Sequence, residues 1–185
     1  MLKSQDLLVS LKLLTFPLGA TPTYPTVAEA LGMSISEVHA AARRASLCGL
    51  LVTEAPRMAT LSDLRPSLPA LEEFLCCGLR YVFPAELGHE AIGMPTAADA
   101  PPLAGRFSTS GALPMVWPFR NGRTRGITLE PLYRSVPEAA SRDQTLYEWL
   151  ALTDALRLAQ GRVATAAKDI VHRRIDELRH AIPAR

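Results

Sequence analysis

Few of the side-chain groupings that enzymes need are present in this chain of 185 residues. Its histidines and cysteines show no spacing typical of metal ligands; they stand at positions 39, 89, 172 and 180, and at positions 48, 76 and 77. His89-Glu90 does not begin a zinc-binding H-E-x-x-H motif, because Gly93 occupies the place of the second histidine. The sequence also has no phosphate-binding glycine loop and no Gly-x-Ser-x-Gly motif. We therefore expect a protein that is not an enzyme and uses no metal ion or cofactor.

The most specific pattern lies between residues 26 and 47, where it predicts two short helices joined by a tight turn. We expect the helices over residues 25–31 and 35–47. Ala28 allows a close helix crossing, Gly32 can take the positive φ angle of the turn, and Ser34 is a suitable N-cap for the second helix. The apolar residues expected between the two helices are Val27, Leu31, Met33 and Val38.

The segments on either side extend this pattern. An apolar helix is predicted over residues 4–16 with Ser4 as its N-cap, and a short strand over residues 50–52. In this order, the segments resemble the winged helix-turn-helix of bacterial MarR-like transcription regulators, over about residues 1–60. The resemblance implies a sequence-specific transcription regulator that binds double-stranded DNA as a homodimer and places its second motif helix in the major groove.

The same resemblance implies which residues meet DNA. Ser36 and His39 would reach base edges, and Glu37 would accept a hydrogen bond from a cytosine amino group. Arg43 and Arg44 would hold phosphates, which fixes the register without reading the sequence. For each position the alternative is an ordinary solvated helix residue. The expected DNA-contacting residues are Ser34, Ser36, Glu37, His39, Ala40, Arg43, Arg44 and Arg57.

The chain departs from these regulators where their wing, a hairpin with basic residues at its tip, is expected. Among residues 53–58 only Arg57 is basic, which predicts a short or absent wing. The net charge is +2 for the whole chain, and residues 1–65 hold six basic and five acidic side chains. Because DNA-binding domains usually have a clear basic excess, a second function stays open. The helix-turn-helix would then be a protein-interaction module, in an antitoxin-like or adaptor subunit.

The middle of the chain is rich in proline, with eight prolines between residues 83 and 137. This favours short extended segments, and we expect a hairpin of residues 115–117 and 126–129 across Asn121-Gly122. Five arginines stand at 106, 120, 123, 125 and 134. A basic tip on this hairpin would bind DNA backbone, a nucleotide or an acidic partner, or be a solvated turn. The aromatic residues here would line a pocket for a small-molecule effector or form a core.

Three further helices are expected over residues 68–79, 143–159 and 162–181, the second of them ended by Gly161. Cys76 and Cys77 lie on an apolar face of the first, which favours inert buried thiols. The apolar face of the last helix suggests dimerisation. The predicted fold is therefore mainly α with a small β component. It has a winged helix-turn-helix over residues 1–60 and an α+β region over residues 61–185 that ends in two helices and serves dimerisation or sensing.

The expected location is the cytoplasm. An odd number of cysteines fits a reducing compartment, and no signal peptide or membrane-spanning run is apparent.

Overall fold

A computed structural model describes residues 1–17, 19–53, 60–107, 111–159 and 161–181. The fold is mainly α-helical with a small β component, as expected. The chain begins with three helices and then two short strands. These elements are α1 (Ser4–Leu14), α2 (Tyr24–Leu31), α3 (Ile35–Leu47), β1 (Leu51–Thr53) and β2 (Leu64–Pro66).

Helices α2 and α3 form for the local reasons that the sequence indicates. The Thr23 side chain accepts a hydrogen bond from the Thr26 N–H at the start of α2, and Gly32 ends α2 with a φ angle of 60°. Ser34 caps α3 as predicted, and its hydroxyl accepts from the N–H of Glu37. The predicted apolar residues Val27, Leu31, Met33 and Val38 are all buried. The turn between the two helices is therefore set by short-range contacts.

Helix α1 differs from its prediction at both ends. Lys3, not Ser4, is the N-cap, because the Asp6 carboxylate accepts the Lys3 N–H at 2.8 Å. The helix ends at Leu14 rather than at residue 16. The next residue, Thr15, is the C-cap, and its hydroxyl donates to the Lys12 carbonyl. Asp6 is buried, which fixes the start of α1 inside the protein.

Strands β1 and β2 pair antiparallel, with Leu51 opposite Pro66 and Thr53 opposite Leu64. A hairpin therefore follows α3, with strands of three residues each. Arg57 lies outside the described residues. The pairing crosses residue 60, where the sequence places a domain boundary; that boundary stays a prediction.

The predicted helix over residues 68–79 continues to Val82 and contains a π-helical turn. It consists of α4 (Leu68–Glu73), the π turn (Phe74–Gly78) and α5 (Leu79–Val82). The prediction that both neighbouring cysteines are buried is wrong for Cys77, which is exposed. Cys76 is buried, and burial raises the pKa of its thiol to about 11. The thiol of Cys76 is therefore inert at neutral pH.

Three strands form a closed barrel: β3 (Leu87–Pro95), β4 (Met115–Pro118) and β5 (Thr124–Leu129). The predicted hairpin across Asn121-Gly122 is wrong, since β4 and β5 run parallel and each pairs antiparallel with β3. The physical reason is a close backbone contact. A Cβ atom on Gly122 would lie 2.3 Å from the carbonyl carbon of Gly93, so the turn folds over β3.

Three helices complete the chain: α6 (Val136–Arg142), α7 (Gln144–Leu158) and α8 (Gly161–Ala181). Helix α7 is buried on nearly every side between Leu146 and Arg157. It ends at Leu158, close to the predicted residue 159, but the left-handed residue that ends it is Ala159 and not Gly161, which begins α8. The apolar face of α8 contributes Ile170 and Ile175 to the core of its own chain. That face is therefore already covered without a second subunit.

A buried ion pair on α7 connects the barrel to its surroundings. The Arg157 guanidinium donates to Asp154 at 2.7 Å, and the other carboxylate oxygen accepts from Thr96 (2.7 Å) and from the indole N–H of Trp117 (2.6 Å). The same guanidinium donates to the carbonyl oxygens of Phe83, Pro84 and Glu130. The Asp154–Arg157 pair thus contacts the interior of the barrel and the backbone just before β3 and just after β5.

A second ion pair joins the N-terminal helices to α7. The Lys12 Nζ lies 2.6 Å from the Asp143 carboxylate, which also accepts from the Thr15 hydroxyl and from the Leu146 N–H. Burial opposes ionisation of Asp143, but these hydrogen bonds outweigh it and lower its pKa. Asp143 is therefore both the N-cap of α7 and the anchor of α1.

Loss of the Asp154 charge should destabilise the whole fold. We expect Asp154→Asn to lower the free energy of unfolding by about 3 kcal/mol or more, because Arg157 is left buried without its counter-charge. Urea unfolding followed by circular dichroism measures this change. The control is Glu138→Gln, which breaks the exposed Glu138–Arg142 pair and should cost about 0.5 kcal/mol or less. Equal losses in the two variants would contradict a central role for the buried pair.

Candidate nucleic-acid interface

Helix α3 presents one continuous exposed face. Ser36, His39 and Arg43 are exposed and are spaced three and four residues apart, so they lie on the same side of the helix. Ser34 is exposed at its N-terminus. The His39 ring lies 5.1 Å from that of Tyr24, which supports the imidazole from α2. Within the described ranges, Arg43 has no ion-pair partner, so its guanidinium is free to bind a ligand.

Arg44, the neighbouring arginine, has a different position. Its guanidinium makes a bidentate contact with the buried carboxylate of Asp6, at 2.6 and 3.0 Å. Asp6 also caps α1, so this pair fixes α3 against α1. A bidentate pair with a buried carboxylate is costly to break. Use of Arg44 as a phosphate contact stays a prediction, and it would compete with this pair.

Glu37 is held by three parts of the chain. Its carboxylate accepts the Ser34 N–H at 2.8 Å, the Tyr133 hydroxyl at 2.7 Å and the Gln5 side-chain amide at 3.3 Å. The hydrogen bonds, led by that of the Ser34 N–H, lower the pKa of Glu37 to about 2. The Glu37 carboxylate already fixes the start of α3. A cytosine amino group, the donor predicted for Glu37, would have to compete with these hydrogen bonds.

The remaining predicted residues contribute less. Ala40 is half-buried on α3, so only part of its side chain faces solvent. Arg57 is one of the residues on which the structure gives no description. The predicted set is therefore divided. Ser36, His39 and Arg43 lie together on α3 and Ser34 caps its start, while Glu37 and Arg44 hold that helix in place.

Arg134 is a basic residue beside α3 that the local sequence pattern does not indicate. Its guanidinium lies 3.7 Å from Glu37 and its side chain is 77% exposed. Tyr133 places it there, through the hydrogen bond to Glu37 and through a ring 5.6 Å from the guanidinium. In the sequence, Arg134 is only one of five arginines in the proline-rich middle. Its place depends on how the segment after β5 packs against α3.

Metal centres, membrane spans and effector pockets are the other kinds of site that the described residues could form. No group of three or more metal-ligating side chains occurs among the described residues. No described helix is both long and apolar enough to cross a membrane. Of the aromatic residues in the middle region, Trp117 is fully buried in the core and Tyr81 is exposed. Phe107 lines a cavity of about 280 Å³ with Leu113, Met115 and Arg162, and the effector pocket stays a prediction.

The comparisons with known proteins give no relative. No family model, curated protein or solved structure matches the chain.

The Glu37 contacts should be visible in the pH dependence of stability. A carboxylate with a folded pKa near 2 and an unfolded pKa of about 4.3 stabilises the fold above pH ~4, and this contribution disappears as the pH falls to about 2. We expect Glu37→Gln to lose less stability than the parent between pH 5 and pH 2. Urea unfolding at a series of pH values measures the difference.

The matched control is Tyr133→Phe, which removes only the hydroxyl donor. It should raise the pKa of Glu37 in a carboxyl NMR titration without abolishing the Ser34 capping bonds. An unchanged pKa would contradict the contact between Tyr133 and α3.

Proposed function

We propose that this protein is a sequence-specific, DNA-binding transcription regulator that acts as a homodimer in the cytoplasm. Helices α1–α3 and the β1–β2 hairpin have the order of a winged helix-turn-helix, with α3 as the recognition helix. The observation that carries the proposal is the exposed face of α3. It presents a hydroxyl, an imidazole and a guanidinium on a helix that is fixed from three sides.

The contacts on α3 assign different tasks to its residues. Ser36 and His39 stand near the N-terminal half of the helix, the part that enters the major groove most deeply, and serve base recognition. Arg43, one to two turns further on, is positioned for the phosphate backbone. Arg134 adds a second guanidinium at the N-terminal end of α3, supplied by another part of the chain.

A fixed helix supports this assignment physically. Base recognition requires side chains placed to within fractions of an ångström, and a helix that moves would lose this accuracy. The Asp6–Arg44 pair holds the last turn of α3, and the Glu37–Tyr133 contact holds its first turn. The charges that these contacts use are not available to DNA, which agrees with the small net charge of the N-terminal part.

A dimer is part of the proposal because one helix with few basic residues binds too little DNA backbone. Two copies related by a two-fold axis would place their α3 helices about 34 Å apart, in successive major grooves. The apolar face of α8 is covered within the chain, so the dimer would use other surfaces.

Substitutions on α3 test the proposal directly. A binding site is first selected from random DNA and then compared with a scrambled duplex by fluorescence anisotropy. We expect Ser36→Ala and His39→Ala to reduce the preference for the selected site by roughly 1–3 kcal/mol each. Arg43→Ala should weaken binding to both duplexes alike, because phosphates carry no sequence information.

Arg142→Ala is the matched control. It removes one exposed arginine of α6, which pairs with Glu138 on its own helix, and should leave DNA binding unchanged. Retained sequence preference in both the Ser36 and the His39 variants would exclude α3 as the reader of the bases.

A second candidate function is a protein-interaction module. It is favoured by two apolar residues at the ends of the exposed face of α3: Ile35 is 53% exposed and Leu47 is 80% exposed. Apolar side chains on a helix surface are the anchors by which a helix docks into a groove of a partner protein.

Salt dependence separates the two functions. For a DNA regulator we expect the affinity to fall steeply between 50 and 200 mM salt, with Leu47→Ser leaving DNA binding unchanged. Equilibrium titrations at four salt concentrations measure this dependence. An affinity for DNA that does not change with salt, or no measurable DNA binding even at 50 mM salt, would favour the protein-interaction module.

A further inference from the structure

The turn between β4 and β5 carries two unpaired arginines. We call residues 119–123 the arginine loop; Arg120 and Arg123 are both exposed in it. Over the described part of the chain, neither side chain takes part in an ion pair or a side-chain hydrogen bond. The next arginine, Arg125, is different because it pairs with Glu90 on β3. Two guanidinium groups thus remain without a counter-charge at one end of the barrel.

The backbone of the arginine loop is tightly anchored. Both of its flanking residues, Pro118 and Thr124, lie opposite Gly93 in the strand register. The Gly122 N–H donates to the Phe119 carbonyl at 3.0 Å, which closes the turn. Gly122 also lies directly on the backbone of Gly93, where a Cβ atom would collide. The arginines are therefore presented from a fixed backbone rather than from a free hairpin tip.

Two like charges on a fixed turn repel each other, and the neighbouring carboxylate is already used. Glu90 is taken by Arg125, so it does not neutralise the loop. A ligand with regularly spaced negative charges compensates such an arrangement. Guanidinium groups bind phosphates through paired N–H donors, and release of counterions from a nucleic acid adds to the affinity.

We propose that the arginine loop is a second DNA-binding surface, which holds the phosphate backbone without reading sequence. This inference rests on the proposed function and names an additional contact with the same partner. Strand β5 has six residues, so the loop lies about 20 Å along the strand from the segment that reaches α3 through Tyr133. The proposal therefore predicts that the DNA footprint of one subunit extends beyond the groove that α3 occupies.

The test is the double substitution Arg120→Ala/Arg123→Ala, in full-length protein whose fold is checked by circular dichroism. Binding to selected and scrambled duplexes of about 40 base pairs is measured against salt concentration. We expect weaker binding to both duplexes by the same factor. The slope of log K against log salt should decrease by about 2, since each lost phosphate contact contributes roughly 0.9.

Two controls separate loop charge from total charge. Arg142→Ala/Arg173→Ala removes the same net charge from surface arginines that pair on their own helices, and should leave the slope unchanged. Arg120→Lys/Arg123→Lys keeps both charges and should restore most of the slope. An unchanged slope in the alanine variant, or equal losses in the two alanine pairs, would overturn the proposal.

The result also distinguishes failure of the loop from failure of α3. If the loop variant weakens DNA binding while the α3 variants do not change sequence preference, the arginine loop is confirmed as a DNA contact and the assignment of α3 to base recognition is wrong. If only the α3 variants have effects, the loop proposal is wrong. If the loop binds polyglutamate while the protein has no affinity for DNA, its partner is an acidic protein and both DNA proposals fall.

Discussion

The buried pair of Asp154 and Arg157 is the contact on which the C-terminal part of the structure depends. It joins the barrel interior, through Thr96 and Trp117, to the backbone on either side of the barrel, at Phe83 and Glu130. Burial of an ion pair is costly, and it is tolerated here because most of its donors and acceptors are satisfied. The segment that begins at Glu130 leads within three residues to Tyr133, the residue that touches α3. The position of α3 is thus connected to a charge pair in the core.

The N-terminal helices use their charges in a similar way. Asp6 holds Arg44, and Asp143 holds Lys12, in contacts that fix α1 and α3 rather than face solvent. These pairs leave the net charge unchanged but occupy Lys12 and Arg44, so fewer basic side chains are available to a ligand. Several charged residues serve internal packing, and the exposed surface of α3 is left with Arg43. On the proposed function, α3 needs additional phosphate contacts from elsewhere, and Arg134 and the arginine loop are suitably basic and exposed.

The sequence predicts α2 and α3 well because the signals are local. Their caps, the glycine between them and the apolar spacing all act within a few residues. The barrel is not predicted, since the Asn-Gly signal says nothing about the contact of Gly122 with Gly93, 29 positions earlier. The sequence does not indicate that Asp154 is buried. Helix α7 is buried on nearly every side, so it has no polar face against which a buried charged residue would stand out. Arg43 and Arg44 are indistinguishable by type, and only the place of Asp6 in the fold separates them.

The burial of α1 has a consequence for the modularity of this protein. Every residue from Asp6 to Leu13 is buried, because α3 covers one side of the helix and α7 approaches the other. Lys12 reaches its counter-charge only across that second contact. Helices α1–α3 are therefore not structurally independent of α7. Exchange of the N-terminal helices by recombination without α7 would leave Lys12 without Asp143, so we expect the N-terminal and C-terminal parts to be inherited as one unit.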